Sequence, residues 1–203
     1  GINWGTEPRY VDYGRIYESR FDVLSKAKER GWERDKQKVN AFIERNSRWL
    51  ADYALFMALK RHFGMKSWTE WEDEDIRLRK PAAMAKYREL LREDIELFTY
   101  IQYLFFEQWT KLKAYINGLG IGIIGDIPIY VAMDSADVWA EPEFFQLDEK
   151  NLPVEVSGVP PDDFSAEGQL WGNPLYDWDK MQSDGFGWWI RRIDGAGKMY
   201  DVI

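Results

Sequence analysis

The chain has no cysteine and a single histidine in 203 residues. The first absence removes disulfides, thiolate metal sites and cysteine nucleophiles together, and it fits a reducing compartment. The second leaves His62 as the one imidazole. Placed at the end of a helical pattern, it reads as a helix-end cation or a packed ring rather than a metal ligand. No run approaches the roughly 18 apolar residues that a membrane span requires, and the N-terminus lacks a basic stretch followed by an apolar one. A basic surface is missing too. With 27 basic against 35 acidic residues the net charge is -8, and binding a phosphate backbone needs the opposite sign. The expectation is a cytoplasmic protein with no nucleic-acid partner, no membrane partner and no metal.

What is abundant is aromatic: 16% of the chain, with eleven each of Trp, Tyr and Phe, inside a composition that is 45% hydrophobic and 31% charged. Such a chain can bury a core and stay in solution. Indoles fill cores, but they also present flat apolar faces on which the C–H face of a sugar ring stacks while carboxylates and amides bond its hydroxyls. Composition leaves both uses open.

Apolar spacing divides the chain. Residues 1 to about 14 carry turn formers and no period, and read as an extended entry. Ile16, Phe21, Val23, Leu24 and Ala27 predict a short helix from Arg15 that stops at Gly31. Two further helices are expected over about 35–45 and 47–63, with Gly64 as the stop. The acidic "SWTEWEDEDIRLRKP" reads as a loop and helix start, and from Pro81 a helix is expected to about Asn117, with Gly118 closing it. The period then changes. "IGIIGDIPIYVAM" is short, apolar and β-branched, the pattern of a strand buried on both faces. Asp126 interrupts it, which is costly unless the carboxylate is paired or functional, and in parallel barrels chemistry collects at the C-terminal ends of strands. Nearly fifty residues of turns and short helical pieces come next, long enough to suggest a functional excursion. A last amphipathic helix is expected over about 186–197, and "MYDVI" reads as the opening of another strand.

Four segments carry a resemblance: "FIERNSRWLADYALFMALKRHFG", "WTEWEDEDIRLR", "IQYLFFEQWTKLKAYINGLGIGIIGDIPIYVAMDSADVWAEPEFFQLDE" and "GVPPDDFSAEGQLWGNPLYDWD". Together they are similar to glycoside hydrolase family 77, the amylomaltases or disproportionating enzymes of the α-amylase superfamily. The resemblance implies an α/β fold: part of a (β/α)8 barrel with a mainly helical inserted subdomain at 1–117, and a barrel segment at 118–203. It implies 4-α-glucanotransferase activity, passing α-1,4-glucan segments between maltooligosaccharides with retention and no cofactor. A retaining mechanism needs two carboxyl groups about 5 Å apart.

The resemblance also assigns residues. Asp126 matches the aspartate of the family's first amylase-type region, near the catalytic centre and supporting it rather than acting as nucleophile; a buried structural carboxylate is the alternative. Gly158 to Phe164 match a mobile loop over the cleft, and Gln169 to Tyr176 its floor. Trp171 is the stacking candidate, with Phe164 second, each weighed against plain packing. Asp162, Ser165, Gln169 and Asn173 are candidates for sugar hydroxyls, with turn and capping roles equally open. Asp163 stands where many members carry Tyr, which bears on glucan length more than on chemistry. The family's nucleophile motif, R-I-D-H-F-R-G, does not occur; Arg192-Ile193-Asp194 spells only its start, within a helical stretch. The expectation is an internal piece of the enzyme, inactive by itself, with strand edges that favour self-association. The rival readings are a non-catalytic glucan-binding or assembly module and, more weakly, a helical scaffold.

Overall fold

The computed structural model describes residues 7 and 9–203; most of the expected entry segment, residues 1–6 and 8, lies outside them. The chain is mainly helical. Helix α1 runs Tyr13–Arg45, capped by Asp12, whose carboxylate accepts from the Arg15 amide at 3.1 Å. Then come α2 (Leu50–His62), α3 (Glu74–Arg77), α4 (Pro81–Leu90) and α5 (Arg92–Gly118). After α5 the chain is irregular up to α6 (Ala136–Ala140), and it then forms a hairpin of β1 (Val156–Val159) and β2 (Gln169–Pro174). Two helices end the chain, α7 (Trp178–Ser183) and α8 (Gly187–Met199).

Helix α1 does not stop at Gly31. The glycine is buried in its middle, and a β-carbon there would lie 1.8 Å from the Tyr100 hydroxyl oxygen of α5. Gly31 therefore serves close approach between two helices rather than termination. The Tyr100 hydroxyl donates to Asp35 at 2.7 Å one turn further along α1, fixing the crossing. The single helix expected from Pro81 breaks at Leu91 into α4 and α5, while the stop at Gly118 holds within a residue.

The main core joins helices α2 to α5 to the chain after α5. Trp68, Trp71 and Trp139 are fully buried and pack with Leu55, Leu59, Phe144 and Tyr176 in one cluster. Phe63 stacks on Trp71 at 5.3 Å, and the Arg79 guanidinium lies 4.3 Å from the Trp139 ring centroid. A smaller cluster of Val39, Phe42, Leu50, Tyr100 and Tyr103 holds α1 to α5. His62, the last residue of α2, is exposed and sits edge-on to Phe63 and Tyr87.

The apolar run over 121–133 is not a strand buried on both faces. It forms one parallel bridge, Ile124 with Val202, and Ile121, Ile124 and Ile129 are mostly exposed. The start of this run is held by polar ties to the end of the chain. Asp201 accepts from the Asn117 side chain (2.7 Å) and the Ile123 amide (2.8 Å) and pairs with Lys113 (3.2 Å), while the Trp109 indole donates to the Met199 carbonyl at 2.9 Å. Among the described residues no helix is long and apolar enough to cross a membrane.

Candidate functional site

The segment expected to be loop from 156 to 174 contains a hairpin. Its antiparallel register pairs Val159 with Gln169 and Gly158 with Leu170, and a bulge separates these from the Val156–Pro174 pair. The glycines and prolines that read as turn formers belong to a twisted ribbon and its tip. Pro160 and Pro161 leave β1, and the Asp162 carboxylate then accepts from the amides of Phe164 (2.9 Å) and Ser165 (2.8 Å). The Ser165 hydroxyl donates to the Gly168 carbonyl at 2.8 Å. Gly168 has φ +74°, and a β-carbon there would meet the Val159 carbonyl at 2.6 Å, so only glycine closes this tip. Asp162 and Ser165 thus act as turn residues in the free chain. Phe164, next to them, is 95% exposed.

Trp171 on β2 is half exposed, and its indole N–H donates to the Gln169 side-chain oxygen at 3.1 Å. Its inner side faces an aromatic stack. The Tyr130 ring lies 6.4 Å from it, and Tyr130 stacks on buried Tyr176 at 5.9 Å and 10°. Trp188 and Trp189 of α8 close round Tyr176. The Tyr176 hydroxyl donates to the Ile129 carbonyl at 2.7 Å and accepts from Arg192 at 3.2 Å. Burial pushes the Tyr176 phenol up, opposed by that arginine.

Asn173 has a different part. Its amide N–H donates to the Val131 carbonyl at 2.8 Å, and its oxygen accepts from the Ser157 hydroxyl at 3.4 Å. The Trp68 indole donates to the Met133 carbonyl at 2.7 Å. Three alternate carbonyls, of residues 129, 131 and 133, therefore accept from side chains of Tyr176, Asn173 and Trp68. This row ties the segment bearing Asp126 to the end of the hairpin, to the turn that follows it and to the loop after α2. Asp126 itself is exposed, so its reading as a buried structural carboxylate is corrected: nothing encloses it.

The structure brings Trp171, Gln169 and Asn173 together on one strand beside the Asp126 segment, and sets Asp162, Ser165 and Phe164 at the tip of the same hairpin. An open groove of about 430 Å³ lies along the hairpin between Val156, Gly158, Pro160, Glu167, Gln169 and Leu170; Trp171 and Phe164 flank rather than line it. Asp194 lies on α8, exposed and paired with Lys198 at 2.6 Å, in keeping with its helical reading. Sequence reasoning missed Tyr130 and Arg192. Tyr130 lies in an apolar run with the composition of a strand, and Arg192 stands out in the sequence only as part of the Arg192-Ile193-Asp194 triplet, not as a partner of Tyr176.

A small irregular hairpin with a half-exposed indole, beside a bundle of helices, has close counterparts. The chain belongs to glycoside hydrolase family 77, whose model matches residues 3–203 and is described as 4-alpha-glucanotransferase. A 4-alpha-glucanotransferase of Streptococcus pneumoniae serotype 4 is 45% identical over 204 residues, covering 100% of this chain and 40% of that protein. One from Thermus thermophilus is 46% identical over 197 residues, 95% of this chain and 39% of the relative. The solved structure of an amylomaltase from Streptococcus agalactiae in complex with acarbose superposes with a TM-score of 0.94 at 46% identity, over 99% of this chain and 41% of that one. The chain thus spans about 40% of the length of the relatives it matches.

Proposed function

We propose that this chain is the helical insertion and substrate-loop part of a 4-α-glucanotransferase, which passes α-1,4-glucan segments between maltooligosaccharides with retention. In this reading residues 1–117 are the insertion and 118–203 a segment of a (β/α)8 barrel. The 121–133 run and the "MYDVI" segment, joined here by the single Ile124–Val202 bridge, stand where its third strand and the start of the next would form in the whole enzyme. Asp126 supports the catalytic centre by hydrogen bonding. Trp171 is the stacking surface for a glucosyl ring, Phe164 covers it from the loop tip, and Gln169, Asp162, Ser165 and Asn173 stand within the substrate-facing hairpin.

The observation that carries the reading is Trp171: an indole left half exposed on a rigid backing of Tyr130 and Tyr176. Burying such a face on folding would be favourable, so its exposure suits a ligand with an apolar face. The retaining pair of carboxylates lies elsewhere in the enzyme, so the chain alone binds glucan without transferring it, and its exposed isoleucines favour self-association.

Calorimetric titration with maltoheptaose tests this. Saturable binding that Trp171→Ala weakens about tenfold supports the reading. Undiminished binding in that variant removes Trp171 from the site, and glucosyl transfer between maltotriose molecules by this chain alone overturns the assignment of the retaining pair to other residues.

A further inference from the structure

Away from the hairpin, α2 and α6 leave a cleft of about 200 Å³ between them. At about 30 Å³ per water this is room for six or seven waters, smaller than a drug-sized site. One wall is Arg48, Trp49, Asp52 and Tyr53, and the other includes Asp137 and Glu141. The walls are fixed before anything enters. The Trp49 indole donates to the Asn46 side chain at 3.1 Å, the Tyr53 hydroxyl accepts from Gln102 at 2.9 Å, and the two rings meet edge-on at 5.9 Å. Asp52 is paired with Arg79 at 2.8 Å and Glu141 with Arg191 at 2.5 Å.

That leaves two lining charges with no ion pair among the described residues: the Asp137 carboxylate and the Arg48 guanidinium. Asp137 stands exposed on the cleft wall; partial desolvation pushes its carboxyl up, opposed by Arg192 through space and by its own backbone amide. A partly desolvated carboxylate without a hydrogen-bonded side-chain partner gains from a donor. One free anion and one free cation sum to zero, which favours a neutral ligand over an ion. Both groups are planar and bond two neighbouring atoms at once, the geometry of adjacent hydroxyls. The aromatic edge supplies an apolar face.

We propose that the α2–α6 cleft is a second binding site, separate from the hairpin, that takes one neutral polyhydroxylated ring between Trp49 and Asp137. It rests on the glucanotransferase reading only in the choice of a glucose unit as that ring. Its groups make no use of Trp171 or Phe164.

The test is an amide chemical-shift titration of the chain with maltose, repeated in Trp171→Ala to silence the hairpin. The expected result is saturable shifts at residues 48–53 and 136–141 that survive Trp171→Ala. Asp137→Asn should weaken them about tenfold, the loss of one hydrogen bond to a charged group, and Ala140→Phe, which fills the cleft without removing a polar contact, should abolish them. Shifts confined to the hairpin overturn the second site and leave the glucanotransferase reading standing. Shifts at the cleft alone leave the second site standing and count against the hairpin. Cleft shifts unchanged in both variants overturn the proposal, as does an absence of shifts anywhere.

Discussion

The ammonium of Lys60, buried near the end of α2, donates to the Asp134 carboxylate 74 residues along the chain at 2.5 Å. Its other protons go to the carbonyls of Met65 (3.0 Å) and Lys66 (2.8 Å), in a turn where Gly64 and Met65 both have positive φ. Asp134 also accepts from the Trp68 amide at 3.2 Å. The lysine is the pin through which the loop after α2 grips the end of the Asp126 segment. Asp134→Ala strands a buried cation and should cost about 2–3 kcal/mol, less than a fully buried pair because two carbonyls remain. Lys60→Met, which removes the cation, should cost less. Urea unfolding of the two variants checks the order, and the reverse order would refute the role given to the lysine.

Gly31→Ala is a second case. Mid-helix, the change normally gains about 1 kcal/mol, but here the new methyl meets Tyr100. Overpacking of this kind costs about 1–3 kcal/mol, so the variant should melt lower than the parent. Gly31→Ala combined with Tyr100→Leu should be less destabilised than the two single changes added together. Simple additivity would mean that the contact does not set the helix crossing.

The same tyrosine gives a pH signature. Burial, then its bond to Asp35, pushes the Tyr100 phenol from 10.0 up to about 12. A raised folded value means that the contribution to stability is complete below pH 10 and is lost as pH rises from there towards 12. The hydrogen bonds from Arg34 and then Tyr100 hold Asp35 at about 2, below its ordinary 3.8. Its contribution is present above pH 3.8 and lost as pH falls towards 2. The ultraviolet difference titration of the parent against Tyr100→Phe should therefore show a phenolate step near pH 12; a step near 10 contradicts the buried hydroxyl.

Asn173 and Trp171 sit two residues apart on β2 and should separate cleanly. Asn173→Ala loses the tie to Val131 and should lower stability by about 1 kcal/mol. Trp171→Ala removes a half-exposed ring and should lower the melting temperature less than Asn173→Ala does, while weakening maltoheptaose binding about tenfold. Melting curves and titrations on the same two samples decide it, and a Trp171→Ala variant that unfolds early would return the indole to the core.

The sequence made local features legible and long-range ones not. The last helix, the stop at Gly118 and the helical setting of Asp194 follow from spacing and turn chemistry within a few residues. Gly31 misled because its reason, Tyr100, lies 69 positions away and leaves no local trace. The hairpin misled differently. Gly158, Pro160, Pro161, Gly168 and Gly172 are the residues of an open loop, and here they make a ribbon with a bulge and a tight tip. The 121–133 run has the composition of a buried strand, but its placement is set by partners outside it: Asp201, Tyr176, Asn173 and Trp68. At the site, family resemblance singled out Trp171, whereas the tyrosines that hold it up became visible only in space.

The row of carbonyls at residues 129, 131 and 133 has one more consequence. Each already accepts from a side chain, and the donors come from the loop after α2, the end of β2 and the turn before α7. A strand docking along this stretch would compete with those side chains for the same oxygens, so the contacts that seat the segment also guard it.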